Sequence, residues 1–203
     1  MCIRDRQMKI ERFKEEDIVE AKKLAKQAWY WFYEGFTDDY VQQIAECILR
    51  HNFTDEDLSF KIFDDEGMKG LIFGTRKKKT VDLSNWVSAQ CKMMSPLEKE
   101  LLIRLNDYMD EADQNTLAIM ADDDVKLSLF VSIKKGCGKE LLNAATKEFH
   151  KHKFKRIFLW TDTSCDYNYY PTHGFTLATE YRDWHYSTEK TDYLTYIYWK
   201  PIK

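Results

Sequence analysis

Glycine is scarce in this chain, seven among 203 residues, yet Gly136 and Gly138 stand two apart where a strand-like run gives way to a helical one. Residues 125–131 are β-branched and aromatic enough for a strand, and 136–152 place Leu141, Leu142, Ala145 and Phe149 on one helical face. Glycines at such a junction let the backbone approach a ligand closely, and the unpaired amides of a first helical turn favour an anion such as phosphate. Lys134, Lys135 and Lys139 gather at the same end, although cations are mildly unfavourable at a helix N-terminus. An anionic ligand removes that conflict. The competing reading is a tight turn with solvated lysines, and spacing alone leaves both open. Two familiar phosphate motifs do not fit: G-x-x-x-x-G-K-[ST] would need glycine at Ile133 and a hydroxyl at Glu140, and G-x-G-x-x-G would need glycine or alanine at Leu141.

The rest of the chain supplies elements around this junction. A strand starts at Met8, and the acidic Glu15, Glu16 and Asp17 open a helix predicted over 15–33, with acids at the positive end of its dipole. Gly35 ends it, and Thr37 caps a second helix whose inner face is Val41, Ile44, Ile48 and Leu49. Residues 58–63 and 69–74 flank the turn 64–67 and read as an antiparallel hairpin, with the basic 76–79 as a solvated tip. Ser95, Pro96 and Glu98 supply a cap, a first-position proline and a capping-box carboxylate for a helix over 96–112. After the glycine loop come a strand at 157–160, a short helix or turn at 165–172, and a closing pair at 175–181 and 193–199.

Hydrophobic residues make up 44% of the chain and charged residues 32%, enough to build a core and far from the composition of disorder. A net charge of -3 gives no global attraction to nucleic acid or anionic membrane, so an anion site must be local. No apolar run reaches the roughly 18 residues of a membrane helix. The five cysteines are scattered, never spaced C-x-x-C, which disfavours zinc and a disulfide framework, and His150 and His152 fall on different helical faces, so no metal is expected. The expectation is one domain over 8–203 in the cytoplasm, with 1–7 a non-native or disordered leader before Met8. Basic residues between Lys147 and Arg156 make the case for nucleic-acid binding, a weak one beside a solvated helix end.

The order of elements, with Leu129-Phe130-Val131 ahead of Lys134-Lys135-Gly136-Cys137-Gly138-Lys139, and Thr161-Asp162-Thr163-Ser164-Cys165 leading to Tyr170-Pro171-Thr172-His173-Gly174-Phe175, resembles the GNAT superfamily of N-acetyltransferases over 8–202. The resemblance implies a mixed α/β fold: a central, mostly antiparallel sheet of six to seven strands flanked by helices, here with a helical insertion before the fourth strand. It implies acetyl-coenzyme A as cosubstrate, its thioester attacked directly by an amine acceptor; the helical insertion and the aromatic corner, which could enclose a cleft, favour a small-molecule amine. Leu129, Phe130 and Val131 would lie along the pantetheine arm. Lys134, Lys135, Gly136, Cys137, Gly138 and Lys139 would hold the pyrophosphate, and Tyr170 would stand near the thioester sulfur. The chain departs from the family pattern at Ile133, in a glycine loop about three residues short, and at Thr163.

Acetyl transfer needs a neutral amine, a polarised carbonyl and a proton for the departing thiolate. Tyr170 is the candidate for the last role. Asp122, Asp123, Asp124, Glu34 and Asp82 are candidate bases, each with a solvated or capping carboxylate as the alternative. Cys165 has no histidine placed to activate it as a nucleophile. Trp29, Tyr30 and Tyr33, in the aromatic run at the end of the first helix, could wall an acceptor pocket or pack as a core edge. The helix over 96–112 could cover the acceptor cleft or serve a homodimer contact. A coenzyme A-binding module without catalysis is the alternative within the same fold.

Overall fold

A computed structural model describes residues 8–29 and 35–203. Seven strands form one sheet in the order β1-β2-β3-β4-β5-β7-β6. In chain order these are β1 (Lys9–Arg12), β2 (Phe60–Asp64), β3 (Gly67–Arg76), β4 (Val125–Ser132), β5 (Arg156–Asp162), β6 (Thr176–Arg182) and β7 (Leu194–Pro201). Every pairing is antiparallel except β4 with β5.

Alternation along β3 explains the layers. Leu71 and Phe73 join Ile18, Leu24 and Leu49 of α1 (Ile18–Ala28) and α2 (Asp38–Asn52) on one face. Ile72 joins Leu141, Ala145 and Phe149 of α5 (Cys137–Lys151) on the other, as a period of two requires. Thr37 caps α2 by accepting from the Tyr40 amide at 3.3 Å. The capping box forms at Ser95, whose amide donates to Glu98 Oε2 at 2.8 Å. The helix it opens is α4 (Pro96–Ile119), a 24-residue element that outruns the predicted 96–112 because Ala112 and Thr116 continue its buried stripe.

Other predicted boundaries need correction. The first helix opens as a 3-10 turn over Glu15–Asp17 before α1 and stops at Ala28, where Trp29 leaves helical conformation as the C-cap, short of the predicted 33; residues 30–33 lie outside the described residues. A short helix, α3 (Ser84–Cys91), precedes α4 and was not expected, since Leu83 caps it without a side-chain hydrogen bond. The tip at 76–79 is not simply solvated: Arg76 ends β3 and, with Lys79, pairs with the buried Asp55, while Lys77 donates to the Met120 carbonyl and Lys78 pairs with Asp122.

Beneath α4 lies a buried ionic cluster. Lys126 of β4 is 2% exposed and pairs with Asp113 of α4, which also accepts from Trp160 Nε1 at 2.7 Å and faces His51 Nε2 at 3.4 Å. Burial alone would raise the Asp113 pKa, but the Lys126 ammonium and His51 hold it below the usual carboxylate range. Removing one partner of a buried pair strands the other charge. Lys126→Met should therefore lower unfolding free energy by about 3–5 kcal/mol in urea titrations at pH 7. A depressed carboxylate stabilises the fold above its unfolded pKa of about 4 and loses that contribution as pH falls through the folded value, so the deficit should shrink below about pH 4.

Candidate active site

β4 and β5 pair only at Val125↔Ile157 and Lys126↔Phe158 before they part. The parting follows from a bulge. Phe73 of β3 faces Leu129 and Gly74 faces Leu127, which leaves Ser128 as the extra residue. Its hydroxyl lies 2.9 Å from the Asn52 carbonyl oxygen and 3.0 Å from Thr75 Oγ1, which fixes the bend. Beyond it, the β4 edge turned toward β5 carries backbone groups with no strand partner among the described residues. A cavity of about 910 Å³ fills the opening, lined by Leu127 to Ser132 on one side and by Trp160, Thr161 and Asp162 on the other.

At one end of the cavity stands the N-terminus of α5. Gly136 holds φ +91°, a conformation that favours glycine, and caps the helix without any side-chain acceptor for the first-turn amides. A Cβ at Gly136 would meet nothing within 4 Å, whereas one at Gly138 would lie 3.2 Å from Phe130 Cζ. The loop thus approaches β4 as closely as a bare backbone allows while leaving space on its outer side. Lys134, Gly136, Gly138 and Lys139 line the cavity together with Leu129, Phe130 and Val131. Cys137 instead buries its side chain in the core between α5 and the sheet, and Lys135 is exposed and not part of the lining. Lys134 is engaged elsewhere: its Nζ lies 3.0 Å from Asp64, whose side chain is fully buried and also pairs with Lys69. Despite the burial, which alone would raise it, those lysines and the Glu66 amide hold the Asp64 carboxyl at about 2.

Tyr170 stands in α6 (Tyr169–Thr172) across the opening, half-buried and part of the same lining. Its ring packs edge-on to Phe175 at 5.6 Å and stacks on Tyr198 at 5.8 Å. Burial, followed by the nearby Cys165, raises its phenol pKa well above the ordinary value. Desolvation in the cleft and the Asp162 charge likewise push the Cys165 thiol up to about 12, the opposite of what an activated thiolate needs.

The rest of the wall comes from α1, α2 and α4. Trp29 lines the cavity; Tyr30, Tyr33 and Glu34 lie outside the described residues. Leu101, Leu105, Tyr108 and Met109 of α4 also line the cavity. The other carboxylates named from sequence are occupied away from the lining: Asp122 pairs with Lys78, Asp123 with Lys155 and Asp124 with Arg156, while Asp82 accepts from the Ser84 amide at the start of α3. Among the described residues two acids do line the cavity, the exposed Asp166 and, buried at the end of β5, Asp162. Sequence reasoning passed over it because nothing local distinguishes a strand-terminal aspartate. Among the described residues no three His, Cys, Asp or Glu side chains converge as a metal site would require. The basic stretch 147–156 is partly neutralised within the fold, with Lys151 and His152 facing Glu148 besides the Lys155 and Arg156 pairs.

No protein-family model matches the sequence, and no curated protein matches it. Solved structures match the fold. The ribosomal-protein-S18-alanine N-acetyltransferase from Escherichia coli aligns over 97% of this chain and 95% of its own, with a TM-score of 0.55 at 16% identity. The C-terminal condensation domain of Ebony, in complex with beta-alanyl-dopamine, aligns over 97% and 100%, with a TM-score of 0.65 at 9% identity. The PaiA N-acetyltransferase from Thermoplasma acidophilum, in complex with coenzyme A, aligns over 96% and 99%, with a TM-score of 0.51 at 16% identity. The chain has the fold of the GNAT acetyltransferases, a mixed, mostly antiparallel sheet of seven strands flanked by helices, with a helix between β3 and β4 that fits the expected insertion.

Proposed function

We propose that the protein is a cytoplasmic acetyl-coenzyme A-dependent N-acetyltransferase that acetylates a small primary amine by direct attack. One observation carries the reading: the parting of β4 and β5 joins the bare helix N-terminus at Gly136 and Gly138 to the phenol of Tyr170 within a single cavity. The residues suit the cosubstrate. The first-turn amides of α5, with Lys139, would hold the pyrophosphate; the unpaired edge of β4 at Leu129 and Val131 would hold the pantetheine amides; and the bound thioester would supply an activated acetyl group. Tyr170, which stays protonated at neutral pH, would give its proton to the departing sulfur. The wall that α4 adds to the cavity favours a small acceptor over a folded protein. Cys47, Cys91, Cys137 and Cys165 are free thiols, in keeping with a reducing compartment.

Titration calorimetry with acetyl-coenzyme A should show saturable binding, and no binding at millimolar concentration would overturn the proposal. A thiol-release screen over polyamines, amino acids, aminoglycosides and peptide N-termini should then find turnover with a small amine; turnover confined to peptides would overturn the acceptor class. A coenzyme A-binding module without turnover is the second reading, favoured by the engagement of Lys134 with Asp64. Because Lys134 is so engaged and Lys139, among the described residues, is not, Lys139→Ala should weaken acetyl-coenzyme A binding about tenfold, roughly 1.4 kcal/mol, with Lys134→Ala costing less.

A further inference from the structure

The buried aspartates of this fold sort themselves by partner. Asp55 pairs with Arg76 and Lys79, Asp64 with Lys69 and Lys134, Asp124 with Arg156, and Asp183 faces His185. Asp162, 5% exposed, is held by neutral groups and, unlike Asp183, which rests on the His185 and Tyr186 amides beside the His185 ring, it lines the cavity. Its Oδ2 accepts from the Tyr108 hydroxyl at 3.0 Å, its Oδ1 accepts from the Ser164 amide at 2.9 Å and from the Ser164 hydroxyl, and it forms no ion pair among the described residues. Three hydrogen bonds orient the carboxylate but leave its charge uncompensated. A buried anion of that kind is costly unless a cation comes to it.

The surroundings specify what sort of cation. Tyr108 meets Trp160 at 5.4 Å, Tyr186 at 5.2 Å and Tyr193 at 5.9 Å between ring centres, and all four rings line the cavity beside Asp162. Tyr193 is held in turn by the Ser164 hydroxyl at 2.9 Å. Aromatic faces attract a cation and offer apolar surface to the stem that carries it. Among the described residues the lysines of the lining, Lys134 and Lys139, belong to the glycine loop, and α4, β5 and the rings beside Asp162 add no lysine or arginine to the lining that would welcome a carboxylate on the acceptor.

We infer that Asp162 and the rings of Tyr108, Trp160, Tyr186 and Tyr193 form the recognition site for the acceptor's ammonium group, and that the acceptor is a primary amine on an aromatic or branched apolar stem, with no carboxylate beside the nitrogen. The inference deepens the proposed function and rests on it for its place in catalysis. The role assigned to Asp162 is recognition of the ammonium, not proton transfer.

Binding, rather than turnover, tests it. Calorimetry on the full chain saturated with coenzyme A, the thiol product, compares phenethylamine with its uncharged counterpart 2-phenylethanol and with phenylalanine. The amine should bind at least about tenfold more tightly than either. Asp162→Asn should erase the difference between amine and alcohol while leaving the alcohol's affinity intact, an outcome a merely structural aspartate would not give. Equal binding of amine and alcohol by the unaltered protein overturns the inference, and that comparison decides the matter even if the asparagine variant fails to fold. Amine selectivity without coenzyme A binding would leave this site standing and remove the acetyltransferase reading; coenzyme A binding without amine selectivity would do the reverse.

Discussion

Gly138→Asp should raise the dissociation constant for acetyl-coenzyme A by at least about a hundredfold, roughly 2.7 kcal/mol, while leaving the fold in place. Two effects add. A Cβ at this position would sit 3.2 Å from Phe130 Cζ and 3.5 Å from Ser132 Cβ, tight enough that the loop or Phe130 must shift by a few tenths of an ångström. The carboxylate then occupies the positive end of α5, the ground that a pyrophosphate would take, and repels it at close range. The same charge is mildly favourable to the helix itself, by about 0.3–1 kcal/mol, so thermal unfolding should move little. Gly138→Ala separates the contributions: it carries the steric part without the charge and should cost about tenfold or less. Calorimetric titration of the three proteins checks the order, and an aspartate variant that binds like the parent would show that the glycine loop is a turn and not a cradle.

How much of this was legible in the sequence depends on whether the physics is local. Caps and turns are local, so Thr37, the Ser95–Glu98 capping box and the turn between β2 and β3 could be read directly, and with them the order of elements. The end of α4 could not. No glycine or proline stops it; Met120 simply leaves the helix in extended conformation, and the last turns are held by the packing of Ala112 and Thr116. Glycine spacing pointed to the right end of α5, yet Lys134 and Lys139 look equivalent in sequence and differ only because Asp64, 70 residues away, engages one of them. Asp162 is the extreme case. Among the described residues it lines the cavity without a cation beside it, a property of the assembled fold, and its partner Tyr108 lies 54 residues away on a helix whose burial no motif announces. Lys126 is hidden in the same way, since a lysine in a strand reads as solvent-facing until α4 covers it with Asp113.

Tyr170→Phe should lower kcat by one to three decades and leave acetyl-coenzyme A affinity nearly unchanged. The variant removes one oxygen and keeps the ring, so the contacts with Phe175 at 5.6 Å and Tyr198 at 5.8 Å survive. Among the described residues no side chain is hydrogen-bonded to the Tyr170 hydroxyl, so its loss should cost little stability, within about 1 kcal/mol. What is lost is a proton donor facing the cavity. Burial, reinforced by Cys165 and by the charges of Asp166 and Asp162, disfavours the phenolate and keeps the hydroxyl protonated through the neutral range. A thiolate leaving group needs that proton as the C–S bond breaks, and general acid catalysis is typically worth about 10² to 10⁴ in rate, part of which water could supply once the cleft is wet. Because the hydroxyl would act only as sulfur departs, the loss should fall on kcat and kcat/KM equally, with KM for the acceptor unmoved. Steady-state kinetics on this one variant, once an acceptor is in hand, separates the two roles: an undiminished kcat would make Tyr170 a packing residue of the β6–β7 edge and assign protonation of the thiolate to solvent.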